Sequence, residues 1–373
     1  MEPQLSNNPT MIPTPPAPEY PEQKNPLLSV RLLATVSAIA ILVIVSIGWY
    51  MYASQKAADT RVAKIMGPKV IIGHTLWPGY VAFIIARDQG YFAAEGVDVE
   101  LRSYASLEEA SQDYQKGLIQ ANMNLGLDAI HEAQSGLDHR IVLLVDHSYG
   151  SDGIIARPGI KDVAGIKGKK VAYEFGTLEE FFLGYALKEV GMSLKDVVSL
   201  NRNPEEAANA LVKKEVDVAV TYEPFMTSAL YTAGGTKIYS SVQAPDLISD
   251  VLTFHSDFIA QHPDEVAAII RAYFKAINFN KFNPAVSHDI LAKAYGISTA
   301  DVILQLDGVK VADEEANRVA FSKDSGAQSL YTNLRDIALF VQASNKEQKP
   351  FDSATLIDPT FINAYLGKEP EKK

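Results

Sequence analysis

The chain has 373 residues, is 47% hydrophobic, and carries a formal net charge of −11 from 45 acidic and 34 basic side chains. A chain this acidic repels phosphate backbones, which argues against a nucleic-acid partner. It contains no cysteine, which excludes disulfides, thiolate metal sites, a cysteine nucleophile and a lipid-bearing cysteine.

The first predicted elements are a tail and an apolar span. Residues 1–26 are proline-rich and poor in apolar side chains, which predicts a disordered tail. Residues 27–53 include an uncharged run, residues 32–52, that at about 1.5 Å per residue spans roughly 31 Å, close to the hydrocarbon thickness of a bilayer. We therefore expect one transmembrane helix acting as a peptide anchor, followed by a spacer over residues 54–67. A cleaved signal peptide is the alternative, although its apolar region is usually shorter.

The rest of the chain alternates short apolar segments with amphipathic stretches, which is typical of α/β architecture. Two helix starts carry the capping-box pattern, at Ser106 with Glu109 and at Thr177 with Glu180. Strands are predicted at residues 70–74, 97–103, 121–124, 141–146, 153–156, 170–173, 216–221, 237–239 and 251–255. Helices are predicted after them, at residues 263–281, 287–295, 299–306 and 325–343.

Two segments rich in turn formers, residues 147–153 and 243–250, predict two crossings between lobes. Lobe 1 would comprise residues 68–150 plus 251–367 with the C-terminal helices, and lobe 2 residues 151–250. Two crossings make a hinge, and hinge closure around a ligand is a common conformational switch.

Several segments, taken in order, resemble one protein family. They are residues 73–101 (GHTLWPGYVAFIIARDQGYFAAEGVDVEL), 125–128 (LGLD), 166–171 (IKGKKV), 217–225 (DVAVTYEPF) and 258–263 (FIAQHP). Together they resemble the nitrate/taurine-type substrate-binding proteins of ABC importers, which include SsuA-like and THI5-like proteins. The resemblance covers about residues 69–345 and implies a type II periplasmic binding-protein fold, with two Rossmann-like lobes joined by a two-strand hinge.

The resemblance also implies a function. We expect an extracytoplasmic protein, periplasmic or on the cell surface, tethered to the bacterial cytoplasmic membrane by a single pass. It would act as a monomer that closes over a small solute and delivers it to the permease and ATPase subunits of an ABC importer. No cofactor or metal is expected, and no catalytic motif indicates an enzyme. The alternatives are a membrane-tethered ligand-sensing receptor domain and a biosynthetic enzyme on the same fold.

Candidate ligand-binding residues follow the predicted strands, because ligands of open α/β sheets bind beyond the carboxyl ends of the strands. Trp77 and Tyr80 form an aromatic turn that suits a flat or cationic solute, unless Trp77 simply closes the edge of the core. Asp128, Glu174 and Glu223 offer carboxylates to an amine or amino-heterocycle. For Glu223 the alternative is a helix N-terminal residue stabilised by the helix dipole.

Three further candidates are weaker. Gly176 and Thr177 begin a helix whose free amides could bind a carboxylate, sulfonate or phosphate, although Glu179 and Glu180 in its first turn argue against a strongly anionic ligand. His147 lies near the presumed hinge. No lysine or arginine directly follows these strand ends, which argues against nitrate or bicarbonate. The sequence therefore favours a small nitrogen-containing or zwitterionic solute: aminopyrimidine-like, an amine, or taurine/sulfonate-like.

Overall fold

The computed structural model describes residues 42–52, 67–323, 326–344 and 350–367. The chain divides into two units, residues 1–64 and 65–373. In the first unit, the described residues 42–52 form helix α1, with exposed side chains. Within the described ranges, no helix has both the length and the apolar character needed to cross a membrane. The predicted tail, residues 27–41 and 53 of the predicted anchor and residues 54–66 of the spacer lie outside the described residues.

The second unit contains two sheets. The six-stranded sheet has the order β11-β4-β10-β3-β1-β2, and the five-stranded sheet has the order β7-β6-β8-β5-β9. The first sheet consists of β1 (Val70–His74), β2 (Val99–Ser103), β3 (Ala121–Leu125), β4 (His139–Ser148), β10 (Ser249–His255) and β11 (Val309–Val311). The second consists of β5 (Asp152–Ala156), β6 (Lys170–Tyr173), β7 (Val198–Asn201), β8 (Val218–Tyr222) and β9 (Thr236–Ser240).

Each sheet is mixed. In the first, β1 runs parallel to β2 and β3, whereas β10 is antiparallel to both β3 and β4. In the second, β6 is parallel to β7 and β8, and β5 is antiparallel to β8 and β9. The helices are α2 (Val81–Asp88), α3 (Tyr91–Ala94), α4 (Leu107–Gln115), α5 (Gly126–Gln134), α6 (Leu178–Glu189), α7 (Pro204–Val212), α8 (Phe225–Ala233), α9 (Ser256–Gln261), α10 (Pro263–Phe282), α11 (Pro284–Tyr295), α12 (Thr299–Leu306), α13 (Glu314–Ala320), α14 (Leu330–Ser344) and α15 (Thr360–Tyr365).

The core of the first sheet forms around β4. Its five central residues, 141–145, are an unbroken apolar run, and all are fully buried. A strand that is apolar on both faces must be covered on both, and burying each large aliphatic side chain contributes about 1.5–3 kcal/mol. Helix α10 helps to fix the position of β4, because the Tyr273 hydroxyl donates to the carbonyl oxygens of Val145 and Ala312, at 2.8 and 2.7 Å.

The chain crosses between the sheets twice, between β4 and β5 and between β9 and β10. The two crossings are hydrogen-bonded to each other. The Ser148 and Ser241 hydroxyls are 2.7 Å apart, the Gly150 amide donates to Ser241 Oγ at 2.6 Å, and the Ser241 amide donates to the Asp152 carbonyl at 3.0 Å. The six-stranded sheet thus draws its strands from residues 70–148 and 249–311, and the other sheet from residues 152–240. That these ranges move as separate lobes stays a prediction.

All the predicted strands appear, two of them (residues 70–74 and 170–173) with the predicted ends and the others with shifted ends, but β7 and β11 were not predicted. Both are short edge strands, and VSLN and VKV lack the apolar run that marks a buried strand. The capping box at Ser106 is confirmed in part, since Ser106 Oγ accepts from the Glu109 amide at 3.2 Å. The one predicted at Thr177 is wrong, because the Thr177 hydroxyl donates to Glu174 and Glu179 and makes no cap bond to its own helix.

Candidate ligand-binding cleft

A cleft of about 370 Å³ is lined by residues that follow or begin strands of both sheets. This volume lies within the range of small-molecule sites. Four of its lining residues lie at the carboxyl ends of strands: Thr75 follows β1 and Glu174 follows β6, while Leu125 is the last residue of β3 and Tyr222 the last of β8. The cleft therefore lies where ligands of α/β sheets bind.

The aromatic turn after β1 is built into the cleft floor. The indole Nε1 of Trp77 donates to both carboxylate oxygens of Asp146, at 3.1 and 3.2 Å, and the Tyr80 hydroxyl donates to Asp250 Oδ1 at 2.7 Å. Between them, Gly79 must be glycine, since a Cβ there would lie 2.1 Å from Asp146 Oδ2. Trp77 and Tyr80 both line the cleft, and their hydrogen bonds hold the rings in fixed orientations.

A second ring completes the aromatic surface from the other sheet. The Tyr222 ring, at the end of β8, meets the Trp77 indole edge to face, with centroids 6.0 Å apart and an interplanar angle of 85°. Both rings line the cleft. Because Trp77 follows a strand of the first sheet and Tyr222 belongs to the second, this contact joins the two sheets across the cleft.

The cleft is strongly acidic. Nine carboxylic acids line it: Glu108, Glu109, Asp128, Glu132, Asp152, Glu174, Glu179, Glu205 and Asp250. None of the described residues lining it is a lysine or arginine, and His131 is the one imidazole among them. Burial lowers the pKa of His131, which favours its neutral form. Among the described lining residues, no lysine or arginine thus offsets the negative charge of those acids that are ionised.

Burial raises the pKa of the deep carboxyls. It brings the pKa of Asp128 and Asp152 to about 7 and that of Glu132 and Glu179 to about 8. The pKa of Asp250 is raised by burial and by the negative charge of Asp146. A cation brought among these groups would favour their ionised forms and would be held by them.

Asp128 and Glu132 lie four residues apart on one face of α5. Asp128 accepts weakly from the Leu125 amide at 3.4 Å. Glu132 is held more firmly, by the Ser111 hydroxyl at 2.7 Å and by the Asn124 side-chain amide at 3.0 Å. The helix therefore offers one fixed carboxyl and one with spare acceptor capacity.

The N-terminus of α6 is complemented by its own side chains. Gly176, at φ +77°, donates its amide to the Glu180 carboxylate at 2.8 Å. The Thr177 hydroxyl donates to the Glu179 carboxylate at 2.5 Å, and Glu179 is buried at the cleft wall. Gly176 and Thr177 thus line the cleft, but this helix end presents a carboxyl group to it, which disfavours an oxyanion.

Two predicted residues, His147 and Glu223, are absent from the described residues that line the cleft. His147 lies in β4 opposite Ser249, and its Nδ1 is 2.9 Å from the Ser249 hydroxyl. Glu223 is buried and accepts from the amide and hydroxyl of Thr227, at 3.1 and 2.7 Å. The geometry matches the alternative reading of Glu223, a residue that stabilises the first turn of α8.

Sequence reasoning did not propose four deep acids and one ring as ligand-binding residues: Glu132, Asp152, Glu179, Asp250 and Tyr222. Two signals could have found most of them. Asp152 and Asp250 each stand near the start of a strand that is buried along most of its length, DGIIA and SDVLTFH, where a charge is costly without a role. Glu132 is one turn from Asp128, on the same helix face.

Comparison with known proteins agrees with this geometry. The two mixed sheets with a cleft between them place the chain in the class of periplasmic-binding-protein-like α/β folds. The model of the family described as NMT1/THI5 like matches residues 77–287. The chain belongs to this family.

Relatives and solved structures are of the same kind. A Brucella abortus protein named as a binding protein is 27% identical over 262 residues, 68% of this chain and 79% of the relative. A Bacillus subtilis protein named as an aliphatic sulfonates-binding protein is 29% identical over 290 residues, 76% of this chain and 84% of the relative.

The structure of the alkanesulfonate-binding protein SsuA from Xanthomonas axonopodis pv. citri, bound to MOPS, superposes with a TM-score of 0.68 at 15% identity, over 79% of this chain and 99% of that one. The desulfurization enzyme DSZB shares the fold at a TM-score of 0.59 and 15% identity, over 81% of this chain and 99% of the enzyme. The fold therefore carries both binding proteins and at least one enzyme.

Proposed function

We propose that this protein is an extracytoplasmic solute-binding protein of an ABC importer whose solute is a small, cationic or N–H-rich nitrogen compound. Membership of the family and the relatives named as binding proteins support the solute-binding role. One observation carries the second: nine carboxylic acids, and no lysine or arginine, among the described residues that line the cleft.

Electrostatics favours a cation over an oxyanion. Two unit charges 4 Å apart interact by about 4 kcal/mol at an effective dielectric constant of 20, so each nearby carboxylate matters. Sulfonate and nitrate are ordinarily held by arginine, lysine or free helix amides. Here the Gly176 amide is already bonded to Glu180. The sulfonate ligands of the relatives are therefore a poorer match for this cleft than an amine or an amino-heterocycle.

The aromatic surface supports a flat solute. Trp77 and Tyr222 meet edge to face in the cleft, and their faces can bind a ring or a cation. An aminopyrimidine combines a flat ring with N–H donors, so it satisfies both the rings and the acids. Trp77, Tyr80, Asp128, Glu174, Gly176 and Thr177 are the predicted residues that we propose contact the solute.

Binding is proposed to close the cleft. Lining residues come from both sheets, so a solute that contacts both stabilises the closed arrangement by its differential affinity for it. The closed monomer would then dock on the membrane permease of its importer. A peptide anchor at residues 32–52, as the sequence predicts, would hold the protein near that permease and raise its effective concentration there.

The test is a thermal-shift screen of the full-length chain with 4-aminopyrimidine, benzylamine, taurine, an alkylsulfonate and nitrate. We expect the aminopyrimidine or the amine to stabilise the protein, by about 2.7 kcal/mol at a concentration 100 times Kd. Stabilisation by the alkylsulfonate or nitrate, with none by 4-aminopyrimidine or benzylamine, would reject a cationic or N–H-rich solute.

An enzyme on the same fold is the second candidate, and one observation favours it. The pKa of Asp128 and Asp152 is about 7, which is the range for a general acid or base. Mass spectrometry of each solute that binds separates the two functions. A binding protein returns it unchanged after prolonged incubation, whereas an enzyme converts it.

A further inference from the structure

We propose that an N–H cation of the solute bridges Asp152 and Asp250, the acids placed at the starts of the two strands that follow the crossings, and that this bridge draws the two sheets together. The inference rests on the proposed function and deepens it by naming the residues that bind the positive group of the solute. It also narrows the solute to a protonated primary or secondary amine or an amidine, because such a cation has N–H donors for both acids.

The two acids hold equivalent places in the chain. Asp152 is the first residue of β5, directly after the first crossing, and Asp250 is the second residue of β10, directly after the second. Both line the cleft, and they are only 5% and 3% exposed. One belongs to the five-stranded sheet and the other to the six-stranded sheet, so a group bound to both necessarily links the sheets.

Asp152 differs from the neighbouring acids in its hydrogen-bond partners. The Trp77 indole donates to Asp146, and the Tyr80 hydroxyl donates to Asp250 Oδ1. Asp152 Oδ2, by contrast, is buried and has no hydrogen-bond partner among the described residues. Buried carboxylate oxygens ordinarily have donors. An unpaired buried acceptor at the cleft wall therefore points to a donor brought by a ligand.

The negative charges around Asp152 and Asp250 favour a donor that is a cation. Negative charge from Glu223 acts on Asp152, and negative charge from Asp146 and Asp152 acts on Asp250. The nearby cation is Lys237, but its ammonium donates to the Gly150 carbonyl at 2.8 Å, on the exposed side of the first crossing. Lys237 does not line the cleft, so the acids facing the cleft are left to a cation from the solute.

Joining these two residues has a mechanical consequence. Without a cation, Asp152 and Asp250 repel each other when ionised, and the repulsion acts at the base of both crossings. An N–H cation between them replaces repulsion with two charge-assisted hydrogen bonds. The same atoms that select the solute would then also favour closure, whereas acids at the cleft rim would affect only the encounter.

Isothermal titration calorimetry on the full-length chain, with three aromatic probes, tests whether Asp152 and Asp250 bind the cation. Benzamidine supplies an N–H cation, benzyltrimethylammonium a cation without N–H, and benzenesulfonate an anion. We expect benzamidine to bind at least tenfold more tightly than either of the others. Asp152→Asn and Asp250→Asn should each weaken benzamidine at least tenfold, while Glu215→Gln, which removes an exposed charge, should change the affinity less than twofold.

A distance measurement tests the closure. The chain has no cysteine, so Lys116→Cys and Lys213→Cys, exposed positions next to α4 and α7, can carry a unique pair of spin labels. Benzamidine should shorten the label distance in the otherwise native chain. It should leave the distance unchanged in Asp152→Asn and Asp250→Asn, even at saturation.

The outcomes are distinguishable. Equal benzamidine affinity in the native chain and both asparagine variants overturns the bridge but leaves the proposed function standing. Tight benzamidine binding that never shortens the label distance overturns the closure role. Preference for benzenesulfonate over benzamidine overturns the bridge and the proposed solute class together. Circular dichroism of each variant checks that it is folded.

Discussion

The indole Nε1 of Trp77 and the carboxylate of Asp146 form a buried, forked hydrogen bond, with distances of 3.1 and 3.2 Å to the two oxygens. This pair fixes the aromatic turn to β4, which lies between β11 and β10 in the sheet. It also changes how a Trp77 variant must be read, because the ring is both a cleft wall and part of the core.

Trp77→Ala removes a buried ring, which costs about 3–5 kcal/mol in such positions, so loss of binding in that variant would be ambiguous. Trp77→Phe is the sharper test. It keeps a ring but leaves Asp146 without its donor, and we expect an unfolding free energy lower by about 1–3 kcal/mol. In Trp77→Phe with Asp146→Leu, where both partners are apolar, most of that loss should be recovered. Urea unfolding of the four proteins forms a double-mutant cycle, and strict additivity would show that the pair is not coupled.

Gly79→Ala should distort the turn. The added Cβ would lie 2.1 Å from Asp146 Oδ2 and 2.5 Å from Trp77 Nε1. We expect destabilisation by about 1–3 kcal/mol and weaker benzamidine binding. The matched control is Gly165→Ala, whose nearest neighbour would be 3.4 Å away. If the two alanine variants melt at the same temperature, the close packing of this turn is not required.

Stability without a solute should fall as the pH rises from about 5 to 8. The carboxyl pKa is about 7 for Asp128 and Asp152 and about 8 for Glu132 and Glu179, against about 4 when unfolded. The folded state therefore binds more protons than the unfolded state across this window, and the free energy of unfolding decreases with rising pH. Glu179→Gln should flatten the profile of melting temperature against pH. A profile that rises towards pH 8 would contradict the raised pKa values.

Cation binding should release protons at pH 7. With a pKa of about 8, Glu132 and Glu179 are mostly protonated at this pH, and a nearby cation shifts them towards the ionised form. We expect on the order of one proton released per benzamidine bound, and tighter binding at pH 8 than at pH 6. Calorimetry in phosphate and Tris gives the proton count from the difference in apparent enthalpy. Proton uptake would be inconsistent with binding among these acids.

Glu223→Ala separates capping from binding. Because both carboxylate oxygens accept from Thr227, the variant should lose about 0.5–2 kcal/mol of stability. Its affinity for benzamidine should stay within about threefold of the native value, measured by calorimetry. A tenfold loss of benzamidine affinity would instead support the ligand-binding role that the sequence predicted for Glu223.

The fold was largely readable from the sequence because its strands are apolar runs separated by turn formers. β7 and β11 were not predicted because they are short and lie at sheet edges. The aromatic turn was recognised as well, since tryptophan next to proline and glycine is conspicuous in a chain with two tryptophans. A core role for Trp77 was considered as the alternative, but its hydrogen-bond partner Asp146 was not predicted, because the two residues are far apart in the sequence.

The acids show the same limit. Asp128 and Glu174 directly follow strands, so their place at the cleft could be predicted. Asp152 and Asp250 are 98 residues apart by number, and only the pairing of β10 with β4 brings the second crossing beside the first. Similarly, Thr177 looked like a helix cap until the structure showed its hydroxyl donating to Glu179.

The strand order β11-β4-β10-β3 also has a consequence for synthesis on the ribosome. β3 and β4 do not pair with each other; each needs β10, which begins at Ser249, whereas β4 ends at Ser148. At roughly 5–20 residues per second, the ribosome spends several seconds making the intervening segment, and that segment contains every strand of the five-stranded sheet. The inserted sheet can therefore be complete before the sheet that precedes it in the chain. Until β10 is made and Asp250 can pair opposite Asp146, the apolar centre of β4, residues 141–145, lacks this neighbouring strand.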